Sequence, residues 1–258
     1  MIRSIYALVW REGLRFYRQK GRLFATLLTP LLFWLVMGNG FGNLFENTSV
    51  GMKSINYFFP GILVMSVLFS SVFSMISVIE DRNEGFLQGV RLVPYATYKI
   101  VLGKIVASSV WALIQALLLL LLAPLANIQI TAGMWFEIGF ILLIAAIFMS
   151  ALGFVFAWWL NSVQGFHGIM NIVLFPLWVL SGAIFPYESA KSWVYWIMRF
   201  NPLRFVVQSL QEVLFVQYSI ANFFSSPKVI WLVFFVGSAS VMLIFTCIAL
   251  VGRPDVRK

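Results

Sequence analysis

Acidic side chains are scarce in this sequence, and three of the nine lie in one short polar segment. The segment runs from Glu80 to Pro94 and separates two long apolar stretches. A charged residue at the centre of a bilayer costs roughly 2.5 to 3.5 kcal/mol on insertion scales. We therefore expect the segment to lie in water between two membrane spans. There its charged and apolar side chains can bind another protein.

The other residue types that could carry chemistry do not form a catalytic set. The single histidine, His167, lies in a short turn, and Glu137 lies alone near the end of an apolar stretch. The sequence contains no HExxH, GxSxG or glycine-rich phosphate-binding motif. We expect no catalytic residue and no metal site, and we expect the single Cys247 to be a buried apolar residue. If the protein moves a substrate, the energy is expected from another polypeptide.

Composition indicates the kind of fold that must position these residues. The chain has 258 residues, of which 61% are hydrophobic and 10% are charged, whereas soluble domains average about 45–50% apolar and about 25% charged residues. The sequence therefore predicts an all-α polytopic membrane protein. About 20 apolar residues are needed to cross a bilayer, and six stretches qualify: 23–41, 57–79, 101–123, 134–160, 168–186 and 229–251.

The distribution of basic residues predicts the orientation. If the N-terminus is cytoplasmic, thirteen of the eighteen basic residues lie on the cytoplasmic side of the predicted spans and five on the outer side. Basic residues are enriched in cytoplasmic loops. We therefore expect both termini and the 80–94 segment to be cytoplasmic. The formal net charge of +9 is attributed to topology and lipid contact, and no nucleic-acid partner is expected.

An amphipathic helix is predicted over residues 2–22, at the cytoplasmic membrane surface. Its basic residues recur at intervals of three or four positions, which places them on one narrow stripe of an α-helix. Such a stripe can contact anionic lipid headgroups. Two interpretations stay open, a membrane anchor or a helix that also contacts a cytoplasmic partner. The residues are Arg11, Arg15, Arg18 and Arg22.

Two sequence blocks carry a further pattern. In the first, charged residues precede Gly85, an apolar pair follows it, and Pro94 comes nine positions after the glycine. The second runs from Pro176 through Ser181-Gly182 and Phe185-Pro186, and Asn201-Pro202-Leu203 follows it. Together with six spans and a basic N-terminal helix, these blocks resemble the ABC-2 type permeases over nearly the whole chain. The chain departs from that pattern at Gln88, Gln208 and Gln211, where relatives often carry charged residues.

The resemblance implies one transmembrane domain over residues 1–258. Its parts would be a cytoplasmic interface helix at 1–22, a cytoplasmic coupling loop at 80–100 and short re-entrant outer helices at 187–228. The family implies the permease subunit of an ATP-driven exporter in a bacterial-type plasma (inner) membrane. Two permease copies would form the substrate path, and each would bind a separate ATPase subunit. ATP and Mg would be bound by that partner, and no cofactor by this chain.

The resemblance also suggests roles for individual residues. The ATPase-coupling set would be Asp81, Arg82, Glu84, Gly85, Phe86, Leu87, Val90, Arg91 and Pro94. Alternatively, these charges only solvate a tight turn. The possible substrate path or exit would be lined by Trp178, Ser181, Gly182, Phe185, Trp193 and Trp196. The tryptophans are equally compatible with an aromatic belt at the membrane interface.

Three alternative functions remain from the sequence. The first is a secondary transporter driven by an ion gradient. The second is an integral membrane enzyme that modifies lipid, for which Glu137 and His167 would be the candidates. The third is a role in assembly or in sensing the lipid surface through the N-terminal helix. The class of substrate, whether polysaccharide, lipid, drug or peptide, does not follow from the sequence, because fold does not determine function.

Overall fold

The computed structural model describes residues 9–15, 18–42, 53–85, 96–186, 190–216 and 223–252. Within these ranges the chain forms helices and turns and contains no strand. Six helices are long and apolar enough to cross a membrane. The predicted all-α polytopic fold with six spans is therefore confirmed.

We number the helices of the described ranges in chain order. The membrane-crossing helices are α2 to α6 and α9, and α7 and α8 are two shorter helices between α6 and α9. The bounds are α1 (9–15), α2 (Lys20–Gly40), α3 (Ser54–Asn83), α4 (Ala96–Leu120), α5 (Ala132–Trp159), α6 (Val163–Ala183), α7 (Ser192–Phe200), α8 (Pro202–Val216) and α9 (Pro227–Val251).

The central helix of the bundle is α3, which packs against α2, α4 and α5. Its apolar side chains occur on every face, including the consecutive residues Phe58 and Phe59, and nearly all of them are buried. A helix that is apolar on all sides is stable only inside a bundle. By contrast, α2 and α9 leave most of their apolar surface uncovered within the chain.

The two ends of α3 lie at opposite ends of the bundle. We call them the Tyr57 end and the Asp81 end, after residues in its first and last turns. At the Tyr57 end, the Tyr57 hydroxyl donates a hydrogen bond of 2.9 Å to the carbonyl oxygen of Gly182, at the end of α6. The α7 and α8 helices follow from there, and Asn201 between them donates from Nδ2 to the carbonyl oxygen of Leu177 at 2.6 Å.

The ends of two helices differ from the sequence prediction. Helix α3 continues through Glu80, Asp81 and Arg82 to Asn83, and α4 already begins at Ala96. Helical structure therefore extends into the predicted coupling loop at 80–100 from both sides, and residues 86–95 lie outside the described ranges. The coupling role of this segment stays a prediction. Hydropathy ends a span at the first charges, whereas here the charges pair within the protein and the helix continues.

Candidate functional site

The carboxylate of Asp81 lies at the centre of a cluster of charges at the Asp81 end. It is completely buried and accepts hydrogen bonds from Arg11 Nη2 at 2.9 Å and Arg15 Nη1 at 2.8 Å. It also accepts a hydrogen bond from Lys104 Nζ. An unpaired buried carboxylate is costly, and three cations around one acid compensate that cost. Asp81 therefore holds α1 and α4 against the end of α3.

Lys104, on α4, connects the same three helices from the other side of the cluster. Its side chain is buried, and Nζ donates to Glu12 Oε1 at 3.0 Å and to Ser77 Oγ at 2.9 Å, in addition to Asp81. A lysine has three N–H donors, so these three acceptors match its donor capacity. We refer to Arg11, Glu12, Arg15, Asp81 and Lys104 as the Asp81 cluster.

The N-terminal arginines differ in their surroundings, because Arg15 is part of the Asp81 cluster and Arg18 lies on the protein surface. Arg15 Nη2 lies 3.5 Å from Glu80 Oε2 and 3.7 Å from Glu84 Oε1, in addition to its hydrogen bond with Asp81. Burial alone would lower the pKa of Arg15, but the hydrogen bond and charge of Asp81 outweigh it and raise that pKa. Arg18 is exposed, so headgroup contact stays a prediction, and the side chain of Arg22 lies outside the described part of the structure.

Arg82, the next residue along α3, points to a different neighbour. Its guanidinium donates to the carbonyl oxygen of Trp158 at 2.5 Å, to that of Leu160, and to Asn161 Oδ1 at 3.1 Å. The last carbonyls of a helix lack intrahelical partners, and a cation there also interacts favourably with the negative end of the helix dipole. Arg82 therefore closes the end of α5 and ties it to α3.

Two other residues of the predicted coupling set, Glu84 and Gly85, lie directly after the end of α3. Glu84 has a side chain that is 62% exposed. Gly85 has a φ of 76°, in the left-handed region that favours glycine, and its N–H donates to the carbonyl oxygen of Arg82 at 3.1 Å. Gly85 is thus the residue at which the chain can leave the helix. The remaining five residues of the set, Phe86, Leu87, Val90, Arg91 and Pro94, lie outside the described ranges.

A surface groove runs along α1 beside the Asp81 cluster. It has a volume of about 580 Å³ and is lined by Trp10, Leu14, Arg18 and Gln19 together with Arg11 and Arg15. Trp10 and Leu14 are exposed apolar residues. An exposed aromatic ring next to arginines is a common composition for a protein interface. The Asp81 end therefore combines a buried charge cluster with an exposed surface that can bind a partner.

Comparison with known proteins identifies the family. The family model described as ABC-2 type transporter matches residues 3–215, which is most of the chain. The chain belongs to the ABC-2 type transporter family. It is the membrane subunit of an ABC transporter, and the predicted family is confirmed.

Individual relatives of this permease are distant but cover most of its length. The putative transport permease ycf38 of Cyanophora paradoxa is 25% identical over 253 residues, covering 94% of this chain and 84% of the relative. The protein of the same name from Porphyra purpurea is 25% identical over 220 residues, covering 83% and 74%. The daunorubicin resistance ABC transporter permease protein DrrB1 of Streptomyces coeruleorubidus is 21% identical over 209 residues, covering 80% and 73%.

The residues predicted to line a path in the permease fall into two groups. Trp178 is only 2% exposed, and its Nε1 donates to the carbonyl oxygen of Gly61 at 2.8 Å. Ser181 is buried and donates to the carbonyl oxygen of Trp178 at 2.6 Å, and Gly182 is buried with a φ of 88°. These three residues therefore form the packed joint between α6 and α3.

The other three predicted path residues lie nearer the surface of the permease. Phe185 is half-buried, whereas Trp193 and Trp196 on α7 are exposed. In the single chain, these two tryptophans are thus the members of the predicted set with exposed rings, although the Trp196 ring also stacks against that of Phe200.

Sequence reasoning missed two members of the Asp81 cluster, Glu12 and Lys104. The available signal was their charge. Lys104 lies inside the third predicted span, and an ionisable residue within a span implies an internal partner. Glu12 is the single acid in the basic N-terminal segment, which made it the natural partner for a buried lysine. Counting charges by side of the membrane alone hides such a pair.

Proposed function

We propose that this permease is the transmembrane subunit of an ATP-driven exporter, in which two permease copies form the substrate path. Each copy would bind a separate ABC ATPase subunit that holds ATP and Mg. The segment at 80–94 and the groove on α1 would contact the ATPase at the cytoplasmic face. The observation that carries this proposal is the Asp81 cluster, because it ties the start of that segment to the membrane helices.

Two neighbouring residues give the end of α3 its mechanical role. Asp81 joins it to α1 and α4, and Arg82 joins it to the end of α5. Charge pairs in a buried setting are short and directional, so a displacement of this helix end moves its neighbours with it. In the proposed cycle, ATP binding brings the two ATPase subunits together, shifts the 80–94 segments and changes the populations of inward-facing and outward-facing states.

Within the proposal, the residues near the end of α3 have separate tasks. Asp81 and Arg82 act through their intramolecular partners, whereas the exposed Glu84, whose Oε1 lies 3.7 Å from Arg15 Nη2, can exchange that weak pairing for a cation on the ATPase. At the Tyr57 end, the exposed rings of Trp193 and Trp196 are the candidates for contact with a departing substrate.

A reconstituted complex tests the coupling assignment. We expect Glu84→Ala and Phe86→Ala to weaken binding of the purified permease to its ATPase at least about five-fold, as removal of interface anchors commonly does. Transport-coupled ATP turnover should fall in parallel. The matched control is Phe136→Ala, which removes an exposed phenylalanine near the start of α5, at the opposite end of the bundle.

Two results would overturn the proposal. One is unchanged assembly and ATP turnover in both the Glu84 and the Phe86 variant. The other is substrate flux that continues after ATP depletion and stops when an ion gradient is collapsed, since that result would identify a secondary transporter.

A further inference from the structure

A cavity of about 510 Å³ lies at the Tyr57 end, bounded by α7, α8 and the first turns of α9. Its wall contains a basic residue from each of the three helices, Arg199, Arg204 and Lys228. Aromatic rings form most of the remaining wall, and the uncharged Gln208 completes its polar part. The rings belong to Trp196, Phe200, Phe205, Trp231 and Phe235.

The concentration of positive charge in this cavity is the unusual feature. The orientation predicted above leaves five of the eighteen basic residues on the outer side, and three of the five line this one cavity. In the described part of the chain, no carboxylate lies within 4 Å of the Arg199 or Lys228 side-chain nitrogens. Glu212, the acid on α8, instead accepts a hydrogen bond from Ser226 Oγ at 2.9 Å.

The aromatic part of the wall indicates that an anionic ligand of this cavity also has an apolar part. Trp196, Trp231 and Phe235 are exposed although they are large and apolar. The Arg199 guanidinium lies 5.2 Å from the centre of the Trp196 ring, a cation–π distance that keeps this charge at the cavity wall. A cavity wall that combines cations with exposed aromatic rings suits a ligand with an anionic head and an apolar body.

The position of the cavity indicates that a ligand with an anionic head and an apolar body would come from the membrane. Lys228 and Trp231 lie in the first turns of α9, which is a membrane-crossing helix. Below them, Phe234 and Val241 present exposed apolar surface along the same helix. Lysine and tryptophan at the end of a span mark the interface between headgroups and hydrocarbon. The cavity therefore opens where phospholipid headgroups lie.

We propose that this cavity binds the phosphate headgroup of an acidic phospholipid from the surrounding bilayer. Arg199 and Lys228 bind the phosphate, Arg204 adds positive charge to the cavity wall, and the upper parts of the acyl chains lie against Trp231 and Phe235. The volume is within the range of about 300–1,000 Å³ typical of small-ligand sites, which is enough for a headgroup and the adjoining ester region. The bound lipid holds α7 and α8 against α9 and does not depend on the ATPase.

Lipid binding to the purified full-length protein in neutral detergent tests this site. Phosphatidylglycerol and phosphatidylcholine with the same brominated acyl chains serve as probes, read out by quenching of tryptophan fluorescence and by lipid retained in native mass spectrometry. We expect saturable binding of phosphatidylglycerol at least about ten-fold tighter than phosphatidylcholine. Arg199→Gln and Lys228→Gln should each weaken it about five-fold, as expected from loss of one basic contact.

The control variant is Lys191→Gln, which removes an exposed base before α7, on the same predicted side but outside the cavity. It should bind phosphatidylglycerol as the wild type does. Equal binding of the two lipids, or equal loss in Lys191→Gln and Arg199→Gln, would overturn the proposal. Displacement of phosphatidylglycerol by millimolar inorganic phosphate would overturn it in favour of a free-anion site. Loss of dimer with unchanged lipid binding in the cavity variants would identify a second copy as the occupant.

Discussion

The two ends of the helix bundle use basic residues in opposite ways. At the Asp81 end, Arg11, Arg15 and Lys104 converge on one buried carboxylate. Lys104 is buried and the two arginines are partly buried. At the Tyr57 end, Arg199 and Lys228 are exposed around an open aromatic cavity. Charges of the first kind hold helices together, and charges of the second kind are available to a ligand.

The comparison shows that the count of charges at a membrane surface says little about their role. Burial and pairing determine the role of each charged residue. A buried cation with a complete set of acceptors is part of the fold, because its removal leaves an uncompensated partner. An exposed cation costs the fold little when it is lost. The two ends should therefore respond differently to the same type of substitution, and four measurements of stability test them.

The largest effect is expected for Asp81→Asn. This change removes the carboxylate shared by Arg11, Arg15 and Lys104 and leaves Glu12 as the remaining buried acid of the cluster. Breaking a buried ion pair typically costs about 3–5 kcal/mol. The measurement is thermal unfolding of the purified protein in neutral detergent. Glu84→Gln is the control, because an exposed ion pair at this surface contributes only about 0–1 kcal/mol. Equal losses in the two variants would show that the Asp81 cluster does not hold the helices together.

A smaller loss is expected for Gly182→Ala at the Tyr57 end. Gly182 has a φ of 88°, and a Cβ in the left-handed region costs about 1–2 kcal/mol. Gly139→Ala on α5 is the matched control. It has open space around a Cβ and lies within a regular helix, so it should stabilise the protein by about 0.5–1 kcal/mol. Opposite signs for the two variants in the same unfolding assay would confirm the strain at Gly182.

Trp178→Phe should cost about 0.5–1.5 kcal/mol through its lost hydrogen bond to the carbonyl oxygen of Gly61. Its apolar contacts, including the edge-on contact with the Phe33 ring at 5.0 Å, are largely kept by phenylalanine. Trp193→Phe on the exposed face of α7 should leave the unfolding midpoint unchanged. The reverse order of the two effects would mean that Trp178 is less tightly packed than Trp193 in the assembled transporter.

The smallest effect on stability is expected for Arg199→Gln and Lys228→Gln, within about 0.5 kcal/mol in lipid-free detergent. Added phosphatidylglycerol should raise the unfolding midpoint of the wild type more than that of these variants, since a ligand stabilises only the state that binds it. A loss of more than about 2 kcal/mol in the free energy of unfolding without lipid would show that these cations stabilise the fold, as those at the Asp81 end do.

Most of the architecture was predictable because the membrane imposes it. Six apolar stretches must become six helices, since no other local structure satisfies the backbone in hydrocarbon. The end of the second span was not predictable in this way. Counted one by one, the charges of Glu80 and Asp81 predict the end of the span. The helix continues through them because Arg15 and Lys104, which are distant in sequence, pair with them.

The site was predictable only in part, for a related reason. Gly85 was identified from its spacing to Pro94, and its positive φ supplies a physical cause for that glycine. Lys104 pairs with residues 92 and 23 positions away, and no local pattern links them. The cavity at the Tyr57 end depends on bringing Lys228 next to Arg199, which again requires the packing of helices distant in sequence.

The Asp81 cluster also sets an order for the biosynthesis of the protein. Glu12 and Asp81 leave the ribosome before Lys104, because synthesis runs from the N-terminus. Until the third span is inserted, the two acids lack the lysine that joins them. Arg11 and Arg15 can bind Asp81 before that point, but the cluster is complete only after more than a third of the chain has been synthesised, when Lys104 bridges Glu12 and Asp81.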